Sequence, residues 1–307
     1  MGNEVRVIMI TYNGSAFIAE QLESIDYQKE LDSIRIYDDC SDSMFLNQLK
    51  DLARSTRTTT LVINNESNLG VVSNVKKALS LNLDTNYIAL SDQDDIWFPL
   101  KLKYLKGEIE KLESDASIPA LVYHDMRVID KGGNLLRNSF WAQHGHHLYK
   151  HNLHSILFGN FVTGCATMFN VSLAKYLSTM PEHLNSYHDH WLALAAFTFG
   201  KTKRLNEQLN DYRFHGQNQA YYSTENQTLV NRIIQTLKYF ISTKTYMVNQ
   251  FEIAAAFYKQ YMDVMEPSKK SIFEQFLRSR NWSYLRQKFF RRKIFKPLYL
   301  KNPPTYD

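Results

Sequence analysis

The stretch Asn86–Pro99, N-Y-I-A-L-S-D-Q-D-D-I-W-F-P, joins a short apolar run to a group of acidic residues. The run Tyr87–Leu90 predicts a buried strand, and Asp92, Asp94 and Asp95 follow it directly. Carboxylates this close repel one another unless a cation neutralises them. Such oxygen ligands favour Mg²⁺ or Mn²⁺, and the carboxyl ends of strands are where open α/β sheets bind ligands. The stretch therefore predicts a metal site, with a solvated acidic turn as the alternative.

The segments before this stretch alternate between strand and helix. Val5–Ile10 predicts a strand that ends in the polar loop Thr11–Ser15, and apolar residues follow at helical spacing over Ala16–Ile25. A second strand, Ser33–Tyr37, ends in the acidic segment Asp38–Asp42. This alternation is typical of a parallel, nucleotide-binding α/β sheet. The sequence contains neither G-x-G-x-x-G nor G-x-x-x-x-G-K-[ST], which excludes a dinucleotide fingerprint and a P-loop.

Composition bounds the class of protein and its compartment. The chain has 307 residues, of which 44% are hydrophobic, enough for one large domain with an appendage. No apolar run approaches the roughly 18 residues of a membrane span, and the first twenty residues do not have the pattern of a signal peptide. Cys40 and Cys165 are far apart, which fits a reducing compartment. We therefore expect a cytoplasmic protein with two free thiols.

The C-terminal region is strongly basic. Between Pro267 and Asp307, eleven Lys and Arg residues stand against two acidic residues, a net charge of +9; because the whole chain carries +5, the remainder is at −4. Helical spacing of apolar residues from Thr228 onward predicts two or three helices. Aromatic and basic residues interleave over Ile272–Leu300, which favours contact with an anionic membrane surface. An oligomer interface, such as that of a homodimer, is the alternative, and nucleic acid is not an expected partner because no binding motif accompanies the charge.

Two further segments carry polar residues of interest. Trp141–His154 contains five histidines, but no Cys or carboxylate joins them at the spacing of a zinc site, so we expect a flexible loop near an acceptor. Phe161–Phe169 predicts a strand. Asp189 lies at the start of the apolar helix predicted over Leu192–Phe199, where it is either an N-terminal cap or a functional acid.

Five motifs in this order resemble the family 2 inverting glycosyltransferases of the GT-A fold. They are T-Y-N-G (11–14), D-D-C-S-D (38–42), N-L-G (68–70), S-D-Q-D-D-I-W (91–97) and H-D-H-W (188–191). The spellings S-D-Q-D-D-I-W, H-D-H-W-L-A-L and Y-R-F-H-G-Q-N look most like bacterial rhamnosyltransferases of surface-polysaccharide synthesis. The resemblance implies a Rossmann-like mixed sheet flanked by helices, a GT-A catalytic domain over residues 1–225 and a C-terminal helical region over residues 226–307.

The resemblance also implies a donor site for a nucleotide sugar. Its residues would be Thr11, Tyr12, Asn13, Asp39, Asn68, Asp92 and Gln93. Tyr12 would lie against the base, and Asp39 would accept a hydrogen bond from the pyrimidine N3–H. Asp92 and Gln93 would face the ribose.

Three further residues would carry the chemistry that the resemblance implies. Asp94 would coordinate a Mg²⁺ or Mn²⁺ ion that bridges the donor diphosphate, and His215 would approach the diphosphate or its metal. Asp189 would be the catalytic base that takes a proton from the acceptor hydroxyl. The sequence departs from the family at Cys40, commonly Gly, and at His188, where many members carry Glu.

The expected activity is therefore metal-dependent, inverting transfer of a sugar at the inner face of the cell membrane. The expected donor is dTDP-L-rhamnose, and the expected acceptor is a lipid-linked glycan or oligosaccharide of O-antigen, capsule or cell-wall synthesis. A UDP-hexose or UDP-HexNAc transferase of the same fold is the alternative enzyme. A non-catalytic sugar-nucleotide-binding module is the alternative from another class of protein.

Overall fold

A mixed β-sheet organises the residues that the computed structural model describes, which are 4–14, 16–182, 184, 188–215 and 247–306. Within them the strands are β1 (Val5–Thr11), β2 (Ser33–Asp38), β3 (Thr59–Asn64), β4 (Tyr87–Ser91), β5 (Ile96–Trp97), β6 (Ala120–Asp130), β7 (Leu135–Arg137), β8 (Thr167–Asn170) and β9 (Lys201–Phe214). Their order across the sheet is β3-β2-β1-β4-β8-β6-β9-β5, and β7 pairs with β6. The first four run parallel, β8 is antiparallel to both β4 and β6, and β9 is parallel to β6.

Helices flank the sheet, as the sequence predicted. In chain order they are α1 (Ile18–Asp26), α2 (Ser43–Ser55), α3 (Val71–Ser80), α4 (Lys101–Leu112), α5 (Phe140–His144), α6 (Leu153–Leu157), α7 (Val171–Ala174), α8 (His188–Phe199), α9 (Val248–Tyr261), α10 (Pro267–Arg278) and α11 (Tyr284–Phe295). None of these described helices is long and apolar enough to cross a bilayer.

The order of the strands creates a crevice beside β1. The chain passes from β1 outward to β2 and β3, and then returns to place β4 on the opposite side of β1. At such a switch point the loops that leave the two central strands diverge and leave a cleft, which is where open α/β sheets bind ligands. Residues 12–14 follow β1 and residues 92–95 follow β4, so the predicted nucleotide loop and the predicted metal loop border the same cleft.

The two faces of the sheet bury separate hydrophobic clusters. Side chains alternate along β1, so Ile8 packs on one face while Val7 and Met9 pack on the other. The cluster around Val7 and Met9 is covered by α1, α2 and α4. The cluster around Ile8 is covered by α3, α6 and α8 and continues into the C-terminal helices.

The C-terminal helices are built into this second cluster. Phe251 and Phe257 of α9 and Phe273 of α10 are completely buried, and the ring of Phe257 lies 5.0 Å from that of Trp191 in α8. Pro267 starts α10 in the first turn, where its missing N–H costs nothing. Three helices thus occupy residues 248–295, whereas the helical pattern over residues 228–246 and the boundary at 225 lie outside the described residues.

Two local predictions were wrong. Most of Phe161–Phe169 is not a strand, because a 3₁₀ turn over Gly164–Ala166 precedes the short β8. The segment with five histidines is not a flexible loop, since α5, a 3₁₀ turn at His146–Leu148 and α6 occupy most of it. The imidazole of His151 stacks on Phe161 at a centroid distance of 3.8 Å, and burial lowers its pKa to about 2. The ring of His151 therefore packs as a neutral aromatic group.

Candidate active site

Two loops leave the sheet side by side at the switch point and are joined by one side-chain amide. The backbone N–H of Tyr12 donates to Oε1 of Gln93 over 2.9 Å, and Nε2 of Gln93 donates back to the Tyr12 carbonyl oxygen over 3.1 Å. A Cβ at Gly14 would collide with the same amide, so a larger residue here would displace the Gln93 side chain. Gln93 therefore fixes the spacing of the two loops, and its contact with a ribose stays a prediction.

The loop after β1 is also fastened to the loop after β2. The hydroxyl of the buried Thr11 donates to Oδ1 of Asp38 over 3.0 Å, and the backbone N–H of Asn13 donates to Oγ of Ser41 over 2.9 Å. Asn13 has a φ of 46°, in the left-handed region that Asn tolerates better than most residues. The ring of Tyr12 is 50% exposed, so this predicted base-stacking group is open to a ligand.

Asp39 and Asn68 lie together beside the start of α3. The Asp39 carboxylate accepts hydrogen bonds from the backbone N–H groups of Leu69 and Gly70, both over 2.8 Å, and from Nδ2 of Asn65 over 2.9 Å. Nδ2 of Asn68 donates to the Asp39 carbonyl oxygen over 3.2 Å. The negative charge is favourable at the helix N-terminus. Asp39 thus has a structural role, and a carboxylate oxygen retains the capacity for a further hydrogen bond such as that of a base N3–H.

The two predicted metal ligands are in direct contact. Nε2 of His215 lies 2.7 Å from Oδ2 of Asp94. The imidazole stacks on Phe17 at 5.2 Å between ring centroids. The guanidinium of Arg213 also contacts the acidic loop, where Nε donates to the Asp94 carbonyl oxygen over 2.9 Å. The end of β9 and the acidic loop after β4 are therefore held together at the cleft.

The donor atoms at this cleft can be compared with the needs of a divalent ion. Asp94 and His215 offer a carboxylate oxygen and an imidazole nitrogen, and the neighbouring Asp92 is open to the cleft. A second grouping places ligand atoms of Asp92, Asp95 and Cys165 within 4.8 Å of one another. Burial raises the pKa of the Cys165 thiol, which stays protonated and is too soft a ligand for Mg²⁺ or Mn²⁺. Asp94 and His215, with Asp92, are the better fit.

A buried acid and a buried lysine that the sequence did not indicate lie beneath the acidic loop. Asp95 is completely buried and accepts hydrogen bonds from Nδ2 of Asn210 over 3.2 Å and from the backbone N–H of Arg213 over 3.3 Å. Burial, and then the neighbouring carboxylates, raise the pKa of Asp95. Lys101 is also completely buried; it donates to the Cys165 carbonyl oxygen over 2.5 Å, and burial lowers its pKa to about 8. Lys101 supplies the positive charge beneath the acidic loop.

The burial of Lys101 could not be predicted from the sequence pattern of its helix. In sequence, α4 has the pattern of an amphipathic helix rich in Lys and Glu, in which a lysine is usually exposed. Lys101 instead stands in the first turn of α4, where its ammonium lies 3.9 Å from the centroid of the Trp97 ring. The available signal was its closeness in sequence to the acidic triplet, six residues after Asp95.

Asp189 lies in the first turn of α8. Nδ2 of Asn160 donates to its Oδ1 over 2.9 Å, and the backbone N–H of Gly164 donates to its Oδ2 over 3.3 Å. Burial raises the pKa of Asp189 to about 7, and the charge of Asp92 acts in the same direction. Desolvation by the cleft walls, followed by the charge of Asp94, likewise raises the pKa of Asp92 to about 6, although solvent reaches it from the open side.

Asp189 has the properties of a functional acid, because it is oriented by hydrogen bonds and the charge of Asp92 reaches it. A group that titrates near neutral pH and is oriented by two hydrogen-bond donors has the properties of a general base. Close packing holds this arrangement, because a Cβ at Gly164 would lie 2.8 Å from Nε2 of His188. The cleft therefore combines an exposed aromatic ring, a carboxylate in contact with an imidazole, and a candidate base.

Comparison with known sequences finds one family whose model matches most of the segments that form the sheet. The family described as "Glycosyl transferase family 2" matches residues 6–177, more than half of the chain. A curated relative, the dTDP-rhamnosyl transferase RfbG of Shigella flexneri, is 37% identical over 99 residues. That match covers 31% of this chain and 34% of RfbG, so it spans about a third of the relative's length.

Comparison with solved structures shows the same fold over nearly the whole chain. Residues 1–349 of S. aureus TarS superpose with a TM-score of 0.60 at 17% identity, covering 94% of this chain and 74% of that one. A complex of TarS 1–349 with UDP-GlcNAc gives a TM-score of 0.56 at 16% identity and covers 99% of both chains. The mannosyltransferase PcManGT of Pyrobaculum calidifontis, in complex with GDP-Man and Mn²⁺, gives 0.54 at 13% identity, with 96% and 85% covered. The sheet with its added C-terminal helices is thus the GT-A fold predicted from the sequence.

Proposed function

Since this chain belongs to glycosyl transferase family 2, we propose that it is a metal-dependent, inverting glycosyltransferase that uses Asp189 as its general base. One observation supports this proposal above all. Asp189 is oriented by Asn160 and Gly164, titrates near neutral pH and lies within the electrostatic reach of Asp92. A protein that only bound nucleotide sugars would have no need of a base held in this way.

The proposed reaction assigns one role to each of these groups. The ionised carboxylate of Asp189 takes the proton of an acceptor hydroxyl while the oxygen of that hydroxyl attacks the anomeric carbon of the donor. The bond from this carbon to the diphosphate breaks on the opposite face, so the configuration inverts. Asp94 and His215, with Asp92, would hold Mg²⁺ or Mn²⁺, which supplies charge stabilisation for the leaving diphosphate. Tyr12 would stack on the base.

For the donor, we propose dTDP-L-rhamnose. The match to RfbG, named a dTDP-rhamnosyl transferase, supports this choice, since its 99 residues are 37% identical. The alternative is a UDP-hexose or UDP-HexNAc donor, which is favoured by the likeness of the fold to TarS in its complex with UDP-GlcNAc. The proposed acceptor is a lipid-linked or oligosaccharide glycan of surface-polysaccharide synthesis.

For the site of action, we propose the inner face of the cell membrane. The outer surface of α11 supports this assignment because Leu285 and Phe289 are 59% and 75% exposed beside several cations. Exposed apolar and basic side chains together suit an anionic bilayer surface, where each cation contributes about 1 kcal/mol. A homodimer that uses the same surface is the alternative.

A panel of donors tests the enzyme and chooses its sugar. Thermal unfolding of the purified protein is measured with Mn²⁺ or Mg²⁺ and with dTDP-rhamnose, UDP-glucose, UDP-galactose, UDP-N-acetylglucosamine or GDP-mannose. A ligand that binds only the folded state raises the midpoint of unfolding. We expect metal-dependent stabilisation by dTDP-rhamnose. Stabilisation by UDP-N-acetylglucosamine instead would establish the alternative, and no response to any donor would contradict the proposal.

A further inference from the structure

A cavity of about 600 Å³ lies outside the cleft, between the histidine-rich segment and the C-terminal helix α11. This volume is within the range of small-molecule sites. The described residues that line it include no Asp or Glu; they are His144, Gly145, His146, Leu148, Tyr149, Leu285, Lys288, Phe289, Arg291, Arg292, Phe295 and Tyr299.

The wall that α11 contributes combines two kinds of side chain. Leu285, Lys288, Phe289 and Arg292 recur at a spacing of three or four residues, so they share one face of the helix. Leu285 and Phe289 are mostly exposed, although they border a cavity. A face of this kind offers an apolar surface and cationic hydrogen-bond donors to the same ligand.

We propose that this cavity binds an amphipathic phosphate, the phosphate or diphosphate ester of a long-chain hydrocarbon alcohol. Lys288 and Arg292 would bind the phosphate oxygens, and Leu285 and Phe289 would contact the start of the hydrocarbon chain. Such a ligand is the lipid end of a lipid-linked acceptor, and in this respect the inference rests on the proposed function.

The position of the cavity relative to the proposed base supports this assignment. The ring of His146 on the cavity wall lies 6.2 Å from that of Phe161, and Tyr149 on the same wall lies 6.4 Å from it. The residue before Phe161 is Asn160, whose amide orients Asp189. By this path of contacts only Phe161 and Asn160 separate the cavity wall from the base. A lipid phosphate in the cavity would therefore lie beside the elements that hold the proposed base.

The test is calorimetric titration of the full chain, without donor or metal, with dodecyl phosphate below its micelle concentration. The variant Lys288→Gln/Arg292→Gln removes two cations from the cavity. The matched control Lys293→Gln/Lys296→Gln removes two exposed cations at the same end of the chain that do not line it. We expect binding to weaken by about tenfold or more in the first variant, because charged hydrogen bonds to phosphate are lost, and by less than about twofold in the control.

Two further ligands separate the sources of the binding. Dodecanol lacks the phosphate and inorganic diphosphate lacks the chain, and both should bind more weakly than dodecyl phosphate by about tenfold or more. Equal binding of either one, equal losses in the two variants, or no binding of dodecyl phosphate would each overturn the inference. Thermal unfolding of each variant with and without donor shows that it is folded. A protein that responds to donor but not to dodecyl phosphate would retain the proposed function and lose this site.

Discussion

Nε2 of His215 lies 2.7 Å from Oδ2 of Asp94, although 121 residues separate them in the chain. The contact joins the end of β9 to the acidic loop after β4, and the stacking of His215 on Phe17 fixes the orientation of the imidazole. Two donor atoms from distant segments are thus arranged before any ligand arrives, which lowers the cost of ordering them on binding.

Replacement of His215 by Ala should weaken the binding of Mn²⁺ by about tenfold, because one of the two arranged donor atoms is lost. Mn²⁺ affinity can be measured by electron paramagnetic resonance of the free ion. His154→Ala is the matched control, since it removes an imidazole from α6, outside the cleft. Equal Mn²⁺ affinity in the two variants would show that His215 does not bind the ion.

Replacement of Asp189 by Asn should lower kcat by about 100-fold or more, the usual contribution of a general base, while the affinity for donor stays nearly unchanged. Asp94→Asn should instead weaken donor binding in the presence of metal. Transfer to acceptor gives the rate, and titration calorimetry gives the donor affinity. An equal loss of donor affinity in both variants would contradict the separate roles assigned to them.

The rate should depend on pH through Asp189. Because its pKa is raised to about 7 and the base must be ionised, kcat/KM should rise with pH through this value and then level off. Asn160→Ala removes a hydrogen bond from the ionised carboxylate, so its profile should move to higher pH. A profile with the same midpoint in both proteins would argue against Asn160 as a positioning residue.

The same carboxyl predicts a trend in stability. Between its ordinary pKa of 3.8 and the raised value near 7, Asp189 binds more protons when the protein is folded than when it is unfolded. The free energy of unfolding should therefore fall as pH rises across this window. In the Asp189→Asn variant the free energy of unfolding should fall less steeply with pH. Urea denaturation at several pH values measures both slopes.

Replacement of Gly14 by Ala should lower the free energy of unfolding by about 1 to 2 kcal/mol. The added methyl group displaces the Gln93 amide, and its two hydrogen bonds to Tyr12 are lost. The variant should also bind donor less tightly, since the two loops of the cleft lose their fixed spacing. In a double-mutant cycle, Gly14→Ala should lower the free energy of unfolding by less in the Gln93→Ala variant than in the unmodified protein. Additive losses would mean that Gly14 is needed for another reason.

Replacement of Lys101 by Met should lower the free energy of unfolding by about 1 to 3 kcal/mol, because the Cys165 carbonyl oxygen loses its hydrogen bond and the buried Asp95 loses a nearby positive charge. Lys103→Met is the matched control, an exposed lysine in the same turn of α4 that should have an effect below about 0.5 kcal/mol. Adding Asp95→Asn to Lys101→Met should restore part of the loss. Denaturant titrations that show no such restoration would rule out the electrostatic coupling.

The course of the sheet could be predicted from the sequence because local patterns determine it. The apolar run Tyr87–Leu90 became the buried strand β4, and the polar loop after β1 was found beside the acidic loop, as expected. Fold and family were identified from the order of five short motifs, and the comparisons confirm both. The roles of the individual site residues stay predictions.

Contacts between distant segments could not be predicted in this way. Gln93 was assigned to a ribose, yet its amide bonds the backbone of Tyr12, a partner 81 residues away that no local pattern indicates. Phe161–Phe169 has the composition of a strand, but Gly164 turns toward Asp189 and interrupts it. His151 looks polar in sequence, yet its ring packs against Trp141 and Phe161 in the fold. In each case packing outweighs local propensity.

One hydrophobic cluster unites a face of the sheet with α9, α10 and α11, and it limits how the chain can be recombined with its relatives. Phe273 and Phe276 are buried in the same cluster as Trp191. An exchange of the C-terminal helices alone would therefore leave mismatched surfaces where these helices pack on the rest of the chain. A chimera designed to give this enzyme a new acceptor would fold only if the facing residues of α6 and α8 were exchanged together with those helices.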